Sequence, residues 1–303
     1  MTATSSGAML LPRGQRLDFD AGPLIMGVVN ANADSFSDPR ASESAEAVVA
    51  LAHALTEAGA DVLDVGGQTA SPAVAEISVG EEQDRILPVI EALADSLPQV
   101  PLSVDTYRLE VAEAALTAGA TILNNIIGAQ HVEFAGLASR HGAAHVITHN
   151  PGAPKTKLLE ADRYGDVVDD VAAYFEDQLA AIAHIPGAAD LAVLDPGVDL
   201  AKTPAQSLEL LRRGATFDAL GCPVLMAISR KDVIGVMTGR PPAERMAGTM
   251  AVVGYLRHGG RRVFRLHDVA AATDLLAVFR YLDGATEMAP DARLDPALRR
   301  QRA

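Results

Sequence analysis

Tryptophan is absent and aromatic residues make up only 4% of the 303, so the core must be built from aliphatic side chains and alanine. A single cysteine, Cys222, allows no internal disulfide and no cysteine metal site, which fits a reducing compartment. Positive charge is scarce: 25 Lys and Arg stand against 39 Asp and Glu, a net charge of −14 at neutral pH. So acidic a surface argues against general binding to nucleic acid or to an anionic membrane, and an anionic substrate would need a local cluster of cations. No apolar run reaches membrane-spanning length, and the first twenty residues lack a charged start followed by an apolar stretch. Together these absences predict a soluble, cytoplasmic protein.

What the chain has in quantity is apolar material, 49% of its residues, arranged in a repeating pattern of strand, polar loop and amphipathic helix. Predicted strands fall at 24–29, 61–65, 101–104, 121–123, 144–147, 191–194, 224–228 and 263–264. After the first strand, Val48, Leu51, Leu55 and Ala58 mark one helix face, and Gly59 stops the helix. Ser78 and Glu81 are spaced as a capping box ahead of Ile86, Ile90 and Leu93. Later helices are expected at 109–116, around 132–137, through Val168, Val171, Phe175, Leu179 and Ile182, through Met246, Met250 and Val253, and over 275–282. Eight strand–helix units without a linker predict an α/β fold of the (β/α)8 TIM-barrel type, a single domain over 24–283. Residues 1–23 read as an extension and barrel cap, and 284–303 as a charged tail. A doubly wound open sheet is the alternative, although it rarely needs eight even repeats.

The stretch 191–204, LAVLDPGVDLAKTP, shows where chemistry gathers. An unbroken apolar run leads into Asp195, and a Pro-Gly turn then drops the chain into a loop. In parallel α/β folds the carboxyl ends of the strands face the ligand, and a carboxylate there can accept two adjacent N–H donors. A helix cap or surface ion pair is the alternative for Asp195 taken alone. The other strand exits are just as polar: Asn30, Asp105, Asn124, His149, Ser229-Arg230-Lys231, and Arg265-Leu266-His267-Asp268. Asp105, Asn124 and Asp195 suit a polar heterocycle held edge-on. Lys231, Arg265 and His267 suit an anion, and Asn30 suits a Mg²⁺ oxygen ligand. Helix capping would account for Asp105 or Asn124 singly, and a solvated turn for Ser229-Arg230-Lys231. His145 and His149 lie four apart on one strand face, but no third ligand is near in sequence, so hydrogen-bonded core histidines are expected there rather than a zinc site. No glycine-rich phosphate loop of the Rossmann or P-loop type follows the first strand.

In order, IMGVVNANADSFSD, DVLDVGG, LSVDTYRLEVAEAALTAGATILNN, VLDPGVDLAKTP, ISRKDVIG and RLHDV resemble the dihydropteroate synthases, over about residues 24–282. The resemblance implies a (β/α)8 barrel, usually dimeric. It also implies a reaction joining 4-aminobenzoate to the methyl carbon of hydroxymethyl-dihydropterin diphosphate, with Mg²⁺ on the departing diphosphate. Carried over position by position, Asp105, Asn124 and Asp195 would hold the pterin, with Lys231 bridging to it, and Asp195 and Lys231 would serve catalysis. Asn30, Arg265 and His267 would hold the diphosphate and its metal, with His267 protonated or donating. Ser229 would meet the aminobenzoate carboxylate.

The departures from the family pattern are local. Ala31-Asn32-Ala33 stand for V-T-P in the first loop, and Pro39-Arg40 for two glycines. Ala70-Ser71 stand for the Thr-Arg pair of the second loop, Leu200-Ala201 for Phe-Gly, and Thr148 for a methionine. The expected pterin floor is therefore whole while the second-substrate lid is altered, with Arg40 or Lys155 as possible replacements for the missing arginine. Three readings follow. The first is a synthase using 4-aminobenzoate or another amine. The second is a pterin-binding paralogue, catalytically weak or inactive, with a binding or regulatory role. A pterin-binding methyltransferase domain is the most remote, since it handles no diphosphate.

Overall fold

The computed structural model describes residues 7–31, 45–68, 74–152, 156, 158–295 and 298. The described chain enters through a short antiparallel hairpin, β1 (Ala8–Leu10) with β2 (Arg16–Asp18). Eight parallel strands follow and close into a barrel: β3 (Leu24–Asn30), β4 (Val62–Gly66), β5 (Leu102–Asp105), β6 (Ile122–Asn125), β7 (Ala144–Thr148), β8 (Ala192–Asp195), β9 (Val224–Met226) and β10 (Arg262–Leu266). The last of these, β10, pairs with β3 and leaves no free edge. Helices α1 (Ala45–Glu57), α2 (Val79–Ser96), α3 (Leu109–Ala118), α4 (His131–His141), α5 (Val167–Ile182) and α6 (Pro204–Arg212) alternate with the strands. Both α7 (Asp232–Thr238) and α8 (Met246–Leu256) follow β9, and α9 (Val269–Leu282) follows β10. This is the expected (β/α)8 barrel. No helix among the described residues is long and apolar enough to cross a membrane.

The period-2 alternation of strand side chains divides the apolar residues into two cores. Leu63, Val65, Leu123, Ile147 and Leu194 face the surrounding helices. Leu24, Met26, Val62, Ile122, Val146, Val193, Leu225 and Val263 fill the barrel interior, and Met9, Leu11, Leu17 and Phe19 of the hairpin region pack against them at its amino-terminal end. Each such buried side chain contributes about 1.5–3 kcal/mol relative to exposure.

Several elements differ from the sequence reading, each for a physical reason. Asp105, Asn124 and Asp195 lie within their strands, not just beyond them, because the register Asp105↔Asn124 and Thr148↔Asp195 continues the ladder to the barrel mouth. Helix α6 was not expected. Thr203 caps it by accepting from the Gln206 backbone N–H while the Gln206 side chain answers back, and Pro204 opens its first turn. A separate α7 also precedes α8. On α1, Val48 and Ala52 meet the core while Leu51 is 46% exposed. The Ser78–Glu81 capping box forms as expected.

Candidate active site

The site starts from a charge in an unlikely place. Strand β4 reads Val-Leu-Asp-Val-Gly, and its Asp64 is fully buried on the interior face. A carboxylate there must be paired and hydrogen-bonded to remain ionised. Its Oδ2 accepts from Arg265 Nε at 2.6 Å and from Asn124 Nδ2 at 3.1 Å. The same guanidinium donates from Nη2 to Asp105 Oδ2 at 2.7 Å. Three of the expected residues, Asp105, Asn124 and Arg265, are thus joined through a fourth that the sequence reading passed over. The expected ring-binding and anion-binding sets are one network here, linked by Arg265.

Asp195 stands across the barrel mouth on β8. Its Oδ1 accepts the Gly197 N–H at 2.8 Å, and its backbone carbonyl accepts the His149 N–H at 2.8 Å. Its Oδ2 has no hydrogen bond among the described residues. Lys231 lies just ahead of α7, where Asp199 and Asp195 are the main opposite charges. At the rim, Ser229 Oγ lies 2.9 Å from His267 Nδ1 and also accepts the His267 backbone N–H at 3.2 Å. Arg230 is committed to Asp268 at 2.8 and 3.2 Å. Asn30 ends β3 with its side chain exposed, opposite Gly66 and away from direct contact with the others.

Burial dominates the electrostatics. It pushes the Asp105 carboxyl up to about 7, against the pull of Arg265 and with Asp64 adding to the rise. Asp195 is raised by burial as well, opposed by the Gly197 N–H and Lys231. Lys231 is lowered by burial, with Asp199 and Asp195 opposing. Burial works against the Arg265 charge too, but Asp64 and Asp105 outweigh it and hold the guanidinium above its ordinary range.

His267 departs from expectation. Although the residue reaches solvent, desolvation of the ring, then Arg265, Arg230 and Lys231, push it down to about 4. The ring is therefore neutral at physiological pH, which leaves the donating form of the two that the sequence reading allowed and not the protonated one. His145 departs as well: it is buried with both ring nitrogens unpartnered among the described residues, while His149 is hydrogen-bonded as expected.

Four polar atoms facing the barrel interior, Asp64 Oδ1, Ser103 Oγ, Asn124 Oδ1 and Thr148 Oγ1, are buried with no partner among the described residues. Buried polar atoms are rarely left so, and a mouth lined by acceptors suits a flat ligand rich in N–H donors. No three His, Cys, Asp or Glu side chains among the described residues are placed to hold a metal. A lone amide oxygen at Asn30 fits Mg²⁺ held mostly by substrate oxygens and water, and does not fit an all-protein cage. Asn32, Ala33, Pro39, Arg40, Ala70, Ser71 and Lys155 lie outside the described residues.

Residues 26–267 match the model of the pterin-binding enzyme family. A dihydropteroate synthase from Synechocystis is 36% identical over 271 residues, 88% of this chain and 93% of its own length. The chain belongs to the dihydropteroate synthase family. Among solved structures, a dihydropteroate synthase from Xanthomonas albilineans with 4-aminobenzoic acid superposes with a TM-score of 0.82 at 36% identity, covering 92% of this chain and 99% of that one. The inactive dihydropteroate synthase 2 of Mycobacterium bovis is 37% identical over 266 residues, 86% of this chain and 83% of its own length.

Within the dihydropteroate synthase barrel, the two residues missed from sequence left different traces. Asp64 breaks an apolar strand, a visible signal. Lys202 sits in a loop where a lysine reads as solvated, yet it is 1% exposed. Ala201 occupies the position of the family glycine and takes a left-handed φ of 50°, a conformation suited to glycine.

Proposed function

We propose that this chain is a dihydropteroate synthase-type transferase, joining 4-aminobenzoate or another amine to hydroxymethyl-dihydropterin diphosphate with release of diphosphate, a step of folate biosynthesis. The observation that carries this reading is the buried acceptor network at the barrel mouth. Asp64, Asp105, Asn124 and Asp195 converge there, and Arg265 and Lys231 supply positive charge beside them.

In this mechanism Asp195, Asn124 and Asp105 take the N–H edge of the pterin, and the Asp195 carboxylate stabilises positive charge building on the ring. Lys231 bridges ring and leaving group, and Arg265 and neutral His267 donate to the diphosphate. The carbon–oxygen bond breaks with its electron pair leaving on diphosphate, the amine nitrogen forms a bond to the same methylene carbon, and the amine then gives up its proton to the released diphosphate or to water. Ser229 meets the aminobenzoate carboxylate. Asn30 would be the protein's ligand to Mg²⁺, which would supply charge neutralisation at the leaving diphosphate.

We assign the pterin-binding barrel to 24–283, with 1–23 as extension and cap and 284–303 as tail, and place the protein in the cytoplasm. A homodimer is proposed on the apolar exposure of α7 to α9, where Met237, Tyr255, Val278 and Leu282 are 49%, 63%, 57% and 71% exposed. Sedimentation velocity reads this directly, and a monomer at micromolar concentration would contradict it. Partners are small molecules; neither nucleic acid nor membrane is assigned a role.

Diphosphate release from the pterin substrate, with and without 4-aminobenzoate, tests the reaction. Release that depends on the amine is expected. The paralogue reading is favoured by the likeness to the inactive mycobacterial protein and by Ala70-Ser71 in place of Thr-Arg. It predicts pterin binding without amine-dependent release. Restoring the pair as Ala70→Thr with Ser71→Arg should raise kcat/KM for 4-aminobenzoate, through a bidentate carboxylate contact, and leave pterin affinity nearly unchanged.

A further inference from the structure

One buried charge lies outside the machinery described above. Lys202, in the loop joining β8 to α6, is 1% exposed and among the largest fully buried side chains. Its Nζ is 2.9 Å from His149 Nδ1 and donates to the backbone carbonyls of His149, Gly197 and Leu200, each at 3.0 Å. Tyr164 packs its ring 6.0 Å from the same nitrogen and donates its hydroxyl to the Ala201 carbonyl at 3.1 Å.

A lysine that merely filled this space would be a poor choice. Burying an ammonium is costly, and leucine or methionine would fill the volume without that cost. The acceptors explain the choice, because they belong to two segments that both hold Asp195. The His149 N–H donates to the Asp195 carbonyl, and the Gly197 N–H donates to the Asp195 carboxylate. The segments also approach closely, since a Cβ on Gly197, which has φ +68°, would lie 2.1 Å from the His149 carbonyl oxygen. The loop itself resists this shape. Asp199 and Ala201 adopt left-handed φ of 62° and 50° without being glycine, and need external fastening to remain there.

We propose that Lys202 is a positioning residue whose ammonium clamps the 197–201 loop to the end of β7, and so fixes where Asp195 presents its free oxygen to the ring. This rests on the reading of Asp195 as the pterin-holding carboxylate. The groups facing the clamp are His149, Tyr164, Asp195, Asp199 and Lys231. His149 is pushed down to about 3 by burial, then by Lys202 and Arg163, so its ring is neutral and Nδ1 can accept. Burial brings Lys202 itself down to about 7, with Asp195 and Asp199 holding it up and Lys231 opposing them. The clamp is therefore fully charged on the acid side of neutrality and loses its proton on the alkaline side.

The test is titration calorimetry of the full chain with 6-hydroxymethylpterin, wild type against Lys202→Met, from pH 6 to pH 9. Lys202→Met is expected to bind at least tenfold more weakly at pH 6 and only a few-fold more weakly at pH 9. Asp105 titrates in the same range, and the ratio between the two proteins cancels it. Lys202→Gln keeps two N–H donors and guards against a folding failure of the methionine variant; it should lose about threefold, with circular dichroism showing the fold. Ethylammonium added to Lys202→Ala should recover part of the affinity. Folded variants that bind within twofold of wild type at every pH, whatever their melting temperature, would show a merely structural lysine and overturn the proposal. No binding by the wild type would instead overturn the pterin reading, and this inference with it.

Discussion

Arg265, on the last barrel strand, donates to the Asp105 carboxylate at 2.7 Å across 160 residues of chain. Its other bond, to Asp64 at 2.6 Å, makes one cation the partner of two carboxylates. Asp64→Asn keeps the shape but takes the charge away from both Arg265 and the Asn124 amide. Taking one of its two carboxylate partners from a largely buried cation should destabilise the protein by about 2 kcal/mol, discounted for the part of Arg265 that reaches solvent. Urea unfolding measures it. A variant with the wild-type midpoint would mean that the network contributes nothing to stability.

Asp195→Asn turns one acceptor oxygen into a donor facing the N–H groups of the ring. The expected loss in affinity for a pterin without diphosphate is about 2–4 kcal/mol, as for a buried polar contact left unpaired. Calorimetry decides it, and unchanged affinity would remove Asp195 from the assigned role.

His267, held down to about 4, should make no difference to the pH dependence of diphosphate binding near neutrality. The ratio of wild-type to His267→Asn affinity for the diphosphorylated pterin should stay level between pH 6 and pH 8. A ratio that climbs as pH falls through about 6.5, the ordinary histidine value, would restore the protonated ring.

His145, with both ring nitrogens buried and unpartnered among the described residues, offers a stability test. Burial, then His131, pushes it down to about 4, below its unfolded value. Its contribution is therefore complete above about pH 6.5 and is lost as pH falls toward 4, on the order of 3 kcal/mol over that window. His145→Leu should match or exceed the wild type at pH 7 and lose less on acidification. Melting curves at pH 7 and pH 4.5 read the difference, which cancels the opposing titration of Asp61, Asp105 and Asp195, all raised by burial. Parallel losses in the two proteins would remove His145 from the account.

The strands were legible because each is an apolar run with a polar exit, and the capping box at Ser78–Glu81 was legible because its bonds are local. Helix α6 had the same kind of signal in Thr203 and Gln206, hidden by the short apolar stripe that follows. Asp195, Asp105 and Asn124 could be placed at the barrel mouth because strand direction alone puts them there. Their partners could not. Asp64 meets Arg265 across 201 residues, and no local pattern records that encounter. His267 shows the other limit. Its residue type permits a charge, and only the three cations and the burial around it show that the ring stays neutral.

Closure of the barrel by β10 against β3 also sets a timetable for synthesis. Asp64 and Asp105 leave the ribosome long before the arginine that neutralises them. At about 5–20 residues per second, the 201 residues separating Asp64 from Arg265 take roughly 10–40 s to make. During that interval the nascent chain holds two carboxylates without their cation and a β3 strand with an open edge. A pterin cannot help the unfinished chain fold, because its site includes the last strand to be translated. Chaperone dependence, if measured on stalled chains, should end when β10 emerges.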